Sequence, residues 1–157
     1  MEGEEVAIVP FEAGRLDELV GVWRASFEAG VGITDPHPLA EQRQYFLDSV
    51  LPGNDVRVAL LEGRIAGFVA ASAESVSQLY VRTDLRGRGI GSRLLDGAKA
   101  RSGGSLWLFT FERNAGARAF YERHGFVVVA RGFEPHWQLA DLKYAWTRRE
   151  PSRGRNG

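Results

Sequence analysis

Apolar positions in this chain follow two periods, and the changes of period divide it into elements. Val6 to Phe11 is apolar and β-branched and predicts a first strand. From Gly14 to Ala29 the spacing changes to threes and fours. Leu16, Leu19, Val20, Trp23 and Phe27 form the stripe of an amphipathic helix, with Gly30 as its stop. Gly32 to Pro38 is a loop with prolines on either side of His37. A second helical stripe places Leu39, Phe46, Leu47 and Val50 on one side and ends at Pro52-Gly53. Val56–Leu61 and Ile65–Ala71 flank Glu62-Gly63-Arg64 and predict a hairpin, and a third strand spans Val76–Val81. The loop from Arg82 to Gly89 leads into a helix over Ile90–Ala100, with Ile90, Leu94, Leu95 and Ala98 inward. Ser105–Phe111 is almost continuously apolar and predicts a strand buried on both faces. A helix over Ala115–His124 ends at Gly125, and strands over Phe126–Ala130 and Leu139–Trp146 close the chain. The order is that of one mixed α/β domain.

Composition narrows the function classes. The chain has 157 residues, enough for one domain with its own core. There is no cysteine, which excludes a disulfide scaffold, an all-cysteine zinc site and a cysteine nucleophile. The 20 basic and 20 acidic residues balance, so no global field steers nucleic acid or an anionic membrane to the chain. The segment from Thr147 carries four Arg against one Glu, so residues 148–157 are expected to be a basic, disordered tail after a domain over 1–147. The acidic start, Met1-Glu2-Gly3-Glu4-Glu5, is the reverse of a signal peptide's basic region, and no apolar run reaches membrane-span length. A cytoplasmic protein is the expectation.

The chemistry concentrates in Arg86-Gly87-Arg88-Gly89-Ile90-Gly91-Ser92, which joins a strand to a helix start. A helix N-terminus leaves backbone N–H groups unpaired and positively polarised, glycines let an anion approach them, and arginines add charge-assisted bonds. A bland turn would need fewer glycines. A P-loop requires Lys after its last glycine, where this chain has Ser92-Arg93. A dinucleotide fingerprint fails at Ser92 in one register and at Leu94 in the other.

The loop resembles the Gln/Arg-x-x-Gly-x-Gly/Ala signature of the GNAT family of N-acetyltransferases, with Arg86, Gly89 and Gly91 at its positions. Leu79-Tyr80-Val81 before it and Asn114-Ala115-Gly116-Ala117-Arg118-Ala119-Phe120-Tyr121 after it also look like that family. The resemblance implies a central mixed, mostly antiparallel sheet of six to seven strands flanked by about four helices. It implies acetyl-CoA as cofactor, held by Leu79, Tyr80, Val81, Arg86, Gly87, Arg88, Gly89, Ile90, Gly91, Ser92, Asn114, Ala117, Phe120 and Tyr121. It also implies direct attack by an amine on the thioester in a ternary complex, with Tyr121 as general acid to the thiolate, and a homodimer as one assembly. From the residues alone, Asn114 reads equally as a helix N-cap, and Tyr121 as a core tyrosine.

The acceptor side is less legible. Several family members carry a Glu base where this chain has Ser75, and the adjacent Glu74 points to the other strand face unless a bulge intervenes. Glu74, His37, His136 and a water relay are the candidates for the base. Phe27, His37, Glu134 and Trp137 are the candidate substrate residues, with Trp23 and Tyr45 nearby in the pattern. Glu134 falls in the loop between the last two strands and reads either as a solvated loop carboxylate or as a counter-charge for a cationic amine, a small molecule or a peptide. No metal site is expected. A non-catalytic acyl-CoA-binding module on the same fold is the alternative.

Overall fold

The computed structural model describes residues 5–149. They hold the expected mixed α/β architecture, seven strands and four helices, with the strands in two antiparallel sheets. β1 (Val6–Pro10), β2 (Asp55–Leu61), β3 (Arg64–Ala71) and β4 (Val76–Val81) form an antiparallel sheet in that order. β5 (Ser105–Phe111), β6 (Val127–Glu134) and β7 (Leu139–Thr147) form the second, ordered β5-β7-β6. A lone parallel bridge between Ser75 and Trp107 links the sheets, supported by Trp107 N–H donating to the Glu74 carbonyl at 3.0 Å. Past it, no backbone bond joins β4 to β5 among the described residues, and their C-terminal halves part toward Val81 and Phe111.

Helix α1 (Leu16–Val31) buries Leu19, Val20, Trp23 and Phe27, the stripe predicted from spacing. It runs past Gly30 and ends at Gly32, whose φ of 81° is the left-handed cap. Gly30 instead lies where α1 touches Asn114, because a Cβ there would come within 2.8 Å of the Asn114 amide. Helix α2 (Leu39–Tyr45) widens into a π turn over Phe46–Val50. The extra residue in that turn rotates the stripe: Phe46 and Val50 are buried, while Leu39 and Leu47 face solvent, contrary to their expected place on one inner face.

Helix α3 (Ile90–Arg101) crosses from β4 to β5 with Ile90, Leu94, Leu95 and Ala98 buried as predicted. Helix α4 (Ala115–Arg123) packs with α3 in one core, which also takes Leu106, Leu108, Leu142 and Tyr144 from the second sheet. The other core lies under α1 and the π turn. The second sheet is therefore covered on one face, and β5 is not buried on both. Trp107 is 39% and Phe109 57% exposed on its outer side. β6 is also longer than expected and takes in Glu134, which sits at a strand end rather than in a loop. Arg148 N–H donates to the Gly104 carbonyl and its guanidinium to the Lys99 carbonyl at 2.9 Å. From position 150 the expected tail lies outside the described residues. No helix among the described residues is long and apolar enough to cross a membrane.

Candidate active site

The glycine-arginine loop ends in a prepared helix N-terminus. Gly87 and Gly89 each have φ of 82°, a conformation that disfavours any side chain. Gly89 is the N-cap of α3, and no side chain among the described residues caps that end. Nothing lies within 4 Å of a Cβ built on either glycine. Uncapped N–H groups beside exposed glycines with open space above them fit a diphosphate. Arg86 and Arg88 are exposed beside it. Ser92 is turned aside, its Oγ 2.9 Å from His124 Nε2, so it ties α3 to the end of α4.

The parted strands make the second half of the site. Leu79 and Val81 pack toward α3 and α4 with Ala117 and Phe120, whereas Tyr80 faces α1 with Phe68 at 6.0 Å. Ser26 Oγ donates to the Val81 carbonyl at 2.8 Å and fixes α1 on the end of β4. Tyr121 is buried between Phe126 (5.5 Å) and Tyr144 (6.3 Å) and lies close enough to Tyr80 for the two phenols to interact electrostatically. Burial, and then the neighbouring Tyr80, push the Tyr121 pKa well above the ordinary phenol value. Burial pushes Tyr80 up to about 12, opposed by a hydrogen bond from Trp23. Both hydroxyls are thus protonated at neutral pH. Asn114 Oδ1 accepts from Ala117 N–H at 3.1 Å, so it does cap α4.

On the α1 side, three of the four candidate substrate residues form one aromatic cluster. Trp137 stands 5.1 Å from Phe27 and 5.3 Å from His37, and Phe27 is 6.3 Å from Phe111 at the end of β5. Glu134 joins them through its backbone role, since its Oε1 accepts from Trp137 N–H at 2.7 Å and shapes the turn before β7. That bond makes the carboxylate a structural acceptor as well as a charge. His136 stacks on His37 at 5.1 Å with 18° between rings, so the loop after α1 and the turn after β6 touch. Tyr45 is exposed on α2, 6.2 Å from Trp23.

Glu74 is not brought to this cluster. It is exposed in the turn before β4, about 17 Å along the strand from Leu79, at the closed end where the sheets meet. The residues missed from sequence are Asp35 and Arg24. Asp35 Oδ1 lies 2.7 Å from His37 Nδ1, and Arg24 Nη2 donates to the His37 carbonyl at 2.5 Å. The signal was there in Asp35-Pro36-His37, an acid two residues before a histidine in a short loop.

The acetyltransferase (GNAT) domain family matches residues 52–128, from the turn before β2 to Val128 in β6. YjaB of Salmonella typhimurium, a peptidyl-lysine N-acetyltransferase, is 30% identical over 116 residues, which cover 73% of this chain and 79% of the relative. The chain belongs to the GNAT family of acetyltransferases. YjaB of Escherichia coli is 32% identical over 119 residues, or 73% of this chain and 78% of its own. Its apo solution structure superposes on this GNAT domain with a TM-score of 0.75 at 25% identity, covering 92% and 99% of the two chains. The PaiA N-acetyltransferase of Thermoplasma acidophilum in complex with coenzyme A shares the fold, with a TM-score of 0.74 at 16% identity over 91% and 99% of the chains. As a GNAT enzyme the protein is an acyltransferase whose donor is acetyl-CoA.

Proposed function

We propose that this enzyme moves an acetyl group from acetyl-CoA to a primary amine by direct attack, and that the amine is a lysine side chain in a peptide. The lysine assignment is supported by the names of the YjaB relatives. The observation that carries the mechanism is Tyr121, a phenol buried in the same core as Leu79 and Val81 of β4. Acetyl-CoA supplies the activated thioester carbon. The N–H groups at Gly89, Ile90 and Gly91 and the side chains of Arg86 and Arg88 bind its diphosphate. The backbone of Leu79, Tyr80 and Val81 pairs with the pantetheine amides as an added strand would, with Asn114, Ala117 and Phe120 lining the opposite wall. Tyr121 gives its proton to the departing thiolate. Phe27, His37 and Trp137 line the acceptor's approach.

A thiol-release assay with acetyl-CoA and a peptide containing one lysine tests this. Thiol release with acetyl appearing on the lysine supports it. Tight coenzyme A binding with no release from any amine would instead leave an acyl-CoA-binding module.

A further inference from the structure

We infer that His37 is the base that takes the proton from the acceptor's ammonium group, with Asp35 and Arg24 as its positioning residues. The inference rests on the acetyl-transfer reading above and concerns the acceptor half of the same site.

Three observations place the imidazole in that role. The first is its tautomer. The Asp35 side chain is only 9% exposed, and its Oδ1 lies 2.7 Å from His37 Nδ1 and 2.9 Å from the His37 backbone nitrogen. Burial opposes the Asp35 charge, but the two hydrogen bonds from His37 and the charge of Arg24 outweigh it and hold the pKa below the ordinary carboxylate value. A charged carboxylate on Nδ1 requires a proton there, which leaves Nε2 with its lone pair. The second is rigidity. Arg24 reaches from α1 to the Asp35 carboxylate at 3.4 Å and to the His37 carbonyl, while Glu28 accepts from Asp35 N–H at 2.8 Å. The imidazole is therefore fixed, yet 36% exposed and open to a ligand.

The third is location. His37 stands at the outer end of the row His37–Trp137–Phe27–Phe111, whose inner end lies at the open mouth between β4 and β5. Charged and titratable groups reach it from three elements among the described residues. Asp35 lies on its own loop, Arg24 and Glu28 come from α1, and His136 comes from the turn after β6, where Glu134 is engaged by Trp137 N–H. The acidic alternative, Glu74, sits at the closed end of the cleft.

The proton account balances. One ammonium proton passes to His37 Nε2 and on to solvent. The freed nitrogen lone pair forms the bond to the acetyl carbon as the C–S bond breaks. Sulfur takes the Tyr121 proton, and the nitrogen's surplus proton restores Tyr121 through solvent. The products are an amide, a thiol and one released proton.

The test uses two peptides, one with lysine and one with a lysine difluorinated beside its amine-bearing carbon, both assayed above the lowered pKa of the fluorinated ammonium, where that amine is already neutral. The expected result is that His37→Gln lowers kcat/KM about 100-fold on the lysine peptide and little on the analogue. Asp35→Asn should follow the same split at about tenfold. Without donor, adding the lysine peptide should shift the His37 Cε1–H resonance of the wild-type protein. An equal loss on both peptides or an unmoved resonance overturns the base and leaves acetyl transfer standing. No release by wild type with lysine peptide overturns the acceptor reading and this inference together. Unchanged melting and coenzyme A affinity in both variants keep a folding defect from mimicking the result.

Discussion

A Cβ on Gly91 would lie 3.2 Å from Cε1 of Phe120. Gly91 opens α3 and Phe120 belongs to α4, so this contact sets how closely the two helices meet above Val81. The same Cβ would stand 3.5 Å from the Val81 side chain. Gly91→Ala should gain up to about 1 kcal/mol of helix propensity and lose about 1–3 kcal/mol to overpacking, a net loss. In a Phe120→Leu background the same substitution should become neutral or stabilising. Melting curves around this double-mutant cycle decide it, and an unchanged sign in the two backgrounds would show that the contact does not limit the approach.

Gly89 and Gly63 separate ligand binding from strain. Both have positive φ, 82° and 79°, and neither has an atom within 4 Å of its missing Cβ. Gly89→Val and Gly63→Ala should each lose about 1–2 kcal/mol of stability. Only the first should also raise the coenzyme A dissociation constant, by about tenfold or more, equivalent to ~1.4 kcal/mol. Titration calorimetry of both variants checks this.

Tyr121→Phe retains the ring contacts with Phe126 and Tyr144 and deletes the hydroxyl. Turnover should fall about 100-fold while coenzyme A affinity stays the same. Equal turnover in the variant would reduce Tyr121 to a packing residue.

His124 makes stability depend on pH. Burial first, and then the Lys99 charge, hold its pKa below the ordinary value near 6.5. The unfolded chain thus binds more protons than the native one below that value, so the contribution of the neutral ring is present above about 6.5 and is lost as pH falls toward the lowered native pKa. The melting temperature should drop more steeply between pH 7 and 5 in the wild type than in His124→Gln. Parallel curves would count against it.

The glycine-rich loop and the helix after it were legible because their geometry is local. Gly87, Gly89 and Gly91 specify backbone geometry within one turn, and the inward face of α3 follows from spacing alone. Ile90, Leu94, Leu95 and Ala98 were read correctly for that reason. The aromatic cluster around His37 was not, because it is assembled across sequence distance: His37 meets His136 and Trp137 from a turn almost 100 positions away, a pairing that no periodicity encodes. Ser105–Phe111 misled for a related reason. An apolar strand looks doubly buried whether or not a helix covers its second face, and here Trp107 and Phe109 stand uncovered. The π turn at Phe46–Val50 shifts the register of α2 in a way that a 3.6-residue count cannot anticipate.

The Ser75–Trp107 bridge leaves most of the inner edge of β4 without a partner strand among the described residues. The spacing between the sheets is therefore set by side-chain packing from α3 and α4, and widening it ruptures no ladder. In such an arrangement the gap behaves as a spring fixed at one end. Amides along that edge should exchange with solvent quickly in the free protein and become protected once a strand-like ligand pairs with it.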